Sequence, residues 1–219
     1  RGLVEVRGEE RVLRFADGQS RRYQAVISTI PLPTLVAMTR DVPAAVRKAA
    51  AELLWTSIRC VNLGIERPDV GPGHWVYFYD ESIPFFRVSF PSKLAPSNAP
   101  AGCSSISCEI AYSRRRPLDE RHLHERSIEA LTRTGILRPT DKIILRDQID
   151  IPFAYVVFDF ARADSVRLIH DWMRTIGIYP CGRFGEWGYH WSFESIESGR
   201  RVAAEVAGAL DSKTIEKAS

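Results

Sequence analysis

The chain has 219 residues, 45% of them hydrophobic and 10% aromatic, which is enough for one or two packed globular domains. Its 30 Lys and Arg stand against 27 Asp and Glu, and a net charge of +3 excludes a basic nucleic-acid surface as the organising feature. No run approaches the ~18 apolar residues of a membrane span, and Arg1-Gly2-Leu3-Val4 lacks the organisation of a signal peptide.

Cys60, Cys103, Cys108 and Cys181 lie in strand-like apolar settings with no C-x-x-C pair, so reduced thiols and a cytoplasmic location are expected. The five histidines make no His-x-x-x-His or H-E-x-x-H pattern, and no metal site is expected. Arg114, Arg115 and Arg116 before Pro117 read as a solvated turn.

In chain order, residues 3–7 and 11–15 alternate apolar and polar, Asp17-Gly18 supplies a turn, and Tyr23 to Thr29 resumes a strand. Ile30-Pro31-Leu32-Pro33 must end that strand, because two prolines remove backbone donors; Thr34 then opens a short helical turn. Residues 43–54 have helical spacing with Pro43 in the first turn. Strands are expected near 56–66, 74–80, 84–90 and 104–112, separated by turn-forming Pro, Gly, Asp and Ser clusters. A helix over 119–134 ends at Gly135, strands follow at 143–151 and 153–158 on either side of Pro152, then a helix at 161–174, a buried strand at 176–181 and a helix at 193–210. Residues 211–219 should fray. This pattern predicts an α+β fold: a twisted, mostly antiparallel sheet with flanking helices, not a series of βαβ units. The first section and the final strand, loop and helix should lie together in space.

The most informative stretch runs from Gly177 to Arg201. A buried strand ends at Gly182, where a missing side chain lets a ligand approach the backbone, and an aromatic loop leads into a helix beginning near Ser192. The unpaired N–H groups at that helix start suit a phosphate or another anionic group.

The helix end Glu197-Ser198-Gly199-Arg200-Arg201-Val202-Ala203-Ala204 resembles the closing "S-G-x-x-A-A" helix of FAD-dependent flavoproteins of the amine oxidase, phytoene desaturase and protoporphyrinogen oxidase superfamily. Asp17-Gly18 followed by Tyr23-Gln24-Ala25-Val26-Ile27-Ser28-Thr29-Ile30-Pro31 resembles the last strand of the flavin domain in that group, with Gln24 near a frequent Asp. Two motifs in the family's order, roughly 150 residues apart, are more specific than either alone. The resemblance implies strand and helix remnants of a Rossmann-like FAD domain at 1–33 and 176–210, a substrate domain at 34–175 and a tail at 211–219. By position it implies FAD contacts from Gly182 and Arg183 near the pyrophosphate, and from Ser192, Phe193 and Glu194 beneath the flavin. Arg183 stands where amine oxidases have an acid, and Gly182-Arg183 with Trp187 and Tyr189 is similar to the G-R-x-x-x-Y-x-Y segment of UDP-galactopyranose mutases. The mutase acids beyond those aromatics are Trp191 and Phe193 here.

Arg87, amid apolar neighbours, is a candidate for gripping a substrate carboxylate or phosphate, and Glu109 is similarly placed; Trp187 and Tyr189 complete the expected substrate contacts. His74, Trp75, Tyr77, Tyr79, Phe85, Phe86 and Phe90 either wall a cavity for a flat substrate or simply fill the core. No catalytic pair is nominated, because a flavin carries the electrons itself. None of the 14 glycines forms the G-x-G-x-x-G dinucleotide fingerprint. The expectation is a truncated chain or proteolytic product that lacks the N-terminal FAD-binding portion, holds flavin poorly and is inactive alone. Three functions stay open: a small-molecule oxidoreductase, a sugar-nucleotide mutase-like protein, and a flavin-free binding module.

Overall fold

The structure, a computed structural model, describes residues 2–218, with side chains described from 2 to 211. The chain divides into two compact units, one made of Arg1–Leu54 and Tyr155–Ser219, the other of Trp55–Ala154.

The first unit opens with β1 (Leu3–Arg7), β2 (Val12–Phe15) and β3 (Ser20–Arg22), an antiparallel meander. The turn follows from its residue types: Gly18 takes φ +81°, and the Asp17 carboxylate accepts the Gln19 N–H at 3.1 Å. The strand expected from Tyr23 to Thr29 is split. Residues 20–22 finish the meander, whereas β4 (Val26–Ser28) pairs in parallel with Ile178–Pro180 near the other end of the chain. Tyr23 and Gln24 make the break: the Tyr23 hydroxyl donates to the Ile176 carbonyl at 3.1 Å, and the Arg11 guanidinium donates to the Gln24 carbonyl at 2.5 Å. Helix α1 (Leu32–Met38) starts two residues before the expected Thr34, because Pro33 fits its first turn, and α2 (Ala44–Glu52) follows Pro43 as expected.

The second unit is a five-stranded sheet. Its strands are β5 (Trp55–Ile65), β6 (Trp75–Tyr77), β7 (Arg87–Ser89), β8 (Ser104–Tyr112) and β9 (Ile143–Val156), in the order β6-β7-β8-β5-β9. The short helix α3 (Pro91–Leu94) and the longer α4 (Leu123–Arg133) interrupt them. Neighbouring strands run antiparallel, with Val61 opposite Cys108 and Leu63 opposite Ile106. Alternation sorts the faces: Val61, Leu63, Ile65, Ile106, Cys108 and Ile110 enter a core shared with Leu123 and Leu131 of α4, while Cys60, Asn62, Ser107 and Glu109 take the other face. Of the aromatic candidates, Phe85 and Phe90 belong to this core, whereas Trp75, Tyr77 and Tyr79 are exposed.

Two further boundaries differ from expectation for physical reasons. The α4 helix starts at Leu123, not 119, because the Asp119 carboxylate bonds both the backbone N–H and the guanidinium of Arg121, an alternative to helical turns. The pieces 143–151 and 153–158 are one strand running through Pro152 to Val156. Proline is tolerated there because β9 is the sheet edge, and its carbonyl accepts from Ser57 Oγ (2.7 Å) and Trp55 Nε1 (2.9 Å).

The chain then returns to the first unit with α5 (Arg162–Thr175), β10 (Ile178–Pro180), α6 (Gly182–Gly185) and α7 (Ser192–Ala218). Helices α1, α2 and α5 belong to the first unit, with α2 packed against α5 and α5 against β10. Helix α7 continues past 210 to Ala218, and the side chains of the tail expected to fray lie beyond the described ones except Asp211. Among the described residues no helix is long and apolar enough to cross a membrane.

Candidate functional site

The parallel pair β4–β10 delivers the chain to Gly182. Cys181 N–H bonds the Ser28 carbonyl at 2.8 Å, which extends the ladder by one residue before the turn. Gly182 then takes φ +71°, and a Cβ there would meet nothing within 4 Å, so this buried glycine leaves an open space on its side-chain side. Gly185 has the opposite need: a Cβ would lie 2.8 Å from the Ser28 carbonyl oxygen and 3.3 Å from the Pro180 carbonyl carbon. Gly185→Ala is expected to cost the fold about 2 kcal/mol through overpacking, seen as a lower denaturant midpoint with an unaltered slope. A midpoint equal to the parent's would contradict this close approach.

Glu186 ties the loop to α7. Ser198 Oγ donates to Glu186 Oε1 at 2.5 Å and accepts the Gly182 N–H at 2.8 Å, and Arg201 donates to the same carboxylate oxygen at 2.5 Å. His190 Nε2 lies 3.8 Å from the other oxygen. From behind, the half-buried His170 places Nε2 3.0 Å from the Gly185 carbonyl; burial holds its pKa below the usual histidine value, and the neutral ring donates through Nε2.

At the start of α7, Trp191 N–H donates to Glu194 at 2.7 Å, and the Trp191 carbonyl accepts from Ser195 N–H at 3.0 Å. Trp191, not Ser192, is thus the capping position, with Glu194 folding back as in a capping box. The helix start expected to suit an anion carries a carboxylate of its own. Phe193 and Trp191 are exposed beside it. Glu186, His190, Phe193, Glu194, Glu197, Ser198 and Arg201 line a groove of about 340 Å³.

Arg183 does not line that groove but bonds a residue that does. Its Nη1 donates to the His190 carbonyl at 3.1 Å, and its guanidinium lies 4.7 Å from the Tyr189 ring, 5.2 Å from Tyr155 and 5.6 Å from Phe184. Tyr155 and Tyr189 stack, with centroids 5.8 Å apart and planes at 16°.

The structure therefore sets Gly182 against Ser198 of α7, the helix whose first turn carries Ser192, Phe193 and Glu194, and gathers Arg183 with Tyr189. Two candidates change meaning. Trp187 is 0% exposed and is a core side chain with no surface to offer a substrate. Arg87, in the other unit, is held by its cross-strand neighbour: Nε and Nη2 donate to the two Glu109 oxygens at 2.8 and 2.7 Å, with the Tyr77 hydroxyl at 3.3 Å. The two residues nominated separately as ligand contacts satisfy each other. Tyr155 and Arg162 were not found by sequence reading, and Ser198 was found only as part of the helix motif, without its bonds to Gly182 and Glu186. Tyr155 sat in an apolar run with no spacing to link it to Tyr189. Among the described residues, no group of three or more His, Cys, Asp or Glu side chains could hold a metal ion.

No known family profile matches the sequence. Solved structures do match in shape. Reduced UDP-galactopyranose mutase superposes over 85% of this chain and 41% of its own, with a TM-score of 0.78 and 23% identity. A putative protoporphyrinogen oxidase from Exiguobacterium sp. 255-15 covers 78% and 38%, with a TM-score of 0.62 and 14% identity. An oxidoreductase from Methanosarcina mazei covers 69% and 36%, with a TM-score of 0.53 and 16% identity. The chain spans about two fifths of the length of these proteins. Over that span, it has the fold they share, the one expected from its two motifs.

Proposed function

We propose that this chain supplies the substrate sheet and the closing half of the cofactor site of an FAD-dependent oxidoreductase acting on a small molecule. The dinucleotide-binding loop would come from polypeptide outside these 219 residues, and the chain alone would be inactive. The observation that carries the reading is the parallel β4–β10 pair ending at Gly182, whose side-chain side is open and whose N–H is held by Ser198 in the second turn of α7.

The residues present fit the cofactor. The first-turn N–H groups of α7 suit its anionic parts, and Glu194 and Glu197 suit its sugar-alcohol hydroxyls, which donate. FAD bound there would supply the hydride acceptor. Ser198 and Glu186 hold Gly182 and the loop in place, and the exposed Phe193 offers an apolar surface. A cytosolic setting accords with four free thiols.

A second reading rests on the Arg183 guanidinium beside the Tyr155 and Tyr189 rings, which would hold an anionic sugar nucleotide and make the protein mutase-like. Protein purified from the complete reading frame should be yellow and lose colour on anaerobic addition of its substrate. Isomerisation of a UDP sugar without net oxidation would shift the assignment to the mutase-like reading. A colourless protein that takes up no FAD would sink both and leave a flavin-free binding module.

A further inference from the structure

Arg162 stands at the first turn of α5, where the helix dipole opposes a cation. Burial also pulls its pKa below the usual arginine value, so neither helix nor solvent accounts for a charge there. Its fork is used on a neutral carbonyl: Nε donates to the Trp187 oxygen at 2.7 Å, and Nη2 donates to the same atom. Its other face lies 4.2 Å over the Phe158 ring.

Trp187 is a bulky residue at φ +53°, a left-handed conformation that L side chains adopt at a cost and that persists only where surroundings over-determine it. Its neighbours are equally constrained. Gly188 N–H donates to the Arg183 carbonyl at 2.8 Å, and a Cβ on Gly188 would come within 2.5 Å of His190 Nε2. Moving the Trp187 carbonyl therefore moves Gly188, His190 and the Arg183 guanidinium that bonds the His190 carbonyl. Phe158 follows Tyr155 by three residues, so the one guanidinium touches both the segment carrying Tyr155 and the loop carrying Tyr189.

We propose that Arg162 is a positioning residue that registers the Trp187–Tyr189 loop against Tyr155 and so assembles the Arg183–Tyr155–Tyr189 group. Its functional meaning rests on the reading that this group borders the ligand; the positioning itself does not.

The test uses the 219-residue chain labelled with fluorotyrosine, the Tyr155 and Tyr189 resonances being assigned by Tyr155→Phe and Tyr189→Phe. Arg162→Met should abolish the mutual ring-current shift of the two tyrosines while the Tyr77 and Tyr112 resonances of the sheet unit stay in place. Arg162→Lys, which keeps the charge without the fork, should retain part of the shift, and it carries the test if the Met variant does not fold. Unchanged Tyr155 and Tyr189 resonances in both variants would overturn the proposal. In the complete protein, UDP-galactose and FAD are titrated separately, and Arg162→Met should weaken whichever binds by about tenfold or more, the scale of a lost charge-assisted hydrogen bond. Loss of the ring-current shift, with neither probe bound by the parent protein, would uphold the positioning and remove the flavin reading instead.

Discussion

Replacing Trp187 by alanine should destabilise the first unit by about 4 kcal/mol, the largest effect expected from any single truncation near the loop. The side chain is completely buried, so its removal opens a cavity as well as forfeiting transfer free energy. Alanine gains nothing at φ +53°, since its own Cβ meets the same left-handed restriction. The Arg162 fork would then hold the carbonyl of a loop that has lost its anchor. Chemical unfolding followed by far-ultraviolet circular dichroism measures the change, and a loss below about 1 kcal/mol would place Trp187 outside the core.

The second large effect lies in the sheet unit. Asp141 receives Arg67 Nε and Nη2 at 2.7 and 2.8 Å and the Arg138 N–H at 2.8 Å, while Arg67 Nη2 also reaches the Ile136 carbonyl at 3.2 Å. The Asp141 side chain is 5% exposed and that of Arg67 19%, so breaking the pair leaves a guanidinium largely out of water. Asp141→Asn should cost about 3 kcal/mol, the lower end for a broken buried pair because Arg67 keeps some solvent. The pH dependence has a definite sign. The Arg67 guanidinium and the Arg138 N–H hold the folded carboxyl below its ordinary value, so its contribution is complete above the unfolded pKa and lost as pH falls through the folded one. The parent should lose stability across the acid range below about pH 4, and Asp141→Asn should flatten that limb. An acid limb identical in both proteins would show that the pair contributes no linkage.

Local patterns were readable because they report neighbours within a turn or a pleat. The alternation in 56–66 and 104–112 became β5 and β8 with the apolar face inward, and Pro31 and Pro43 marked the starts of α1 and α2. The Asp17-Gly18 turn and the strand, glycine, loop and helix around Gly182 appear in that order. Together these patterns were sufficient for the α+β class with a mostly antiparallel sheet.

Other features depend on partners far apart in sequence. Arg87 looked like a free anion grip because nothing local shows that strand register sets Glu109 opposite it, 22 residues on. Tyr23 to Thr29 read as one strand because the hydrogen bonds that split it come from Arg11 and Ile176. The carboxylate of Glu194 turned back on the Trp191 N–H at the start of α7 was likewise not evident from the helix-start pattern.

By itself, the sequence determined most of the elements and their apolar faces, since periodicity, prolines and glycines act over a few residues, while the group of shapes came from the resemblance of two motifs. Only the tertiary structure decided which polar groups around Gly182 are already satisfied and which still face outward. A hydrogen bond is allocated by where distant segments meet, and the Gly182 loop is held by Ser198, Glu186, Arg201 and Arg162 from two different helices and its own turn.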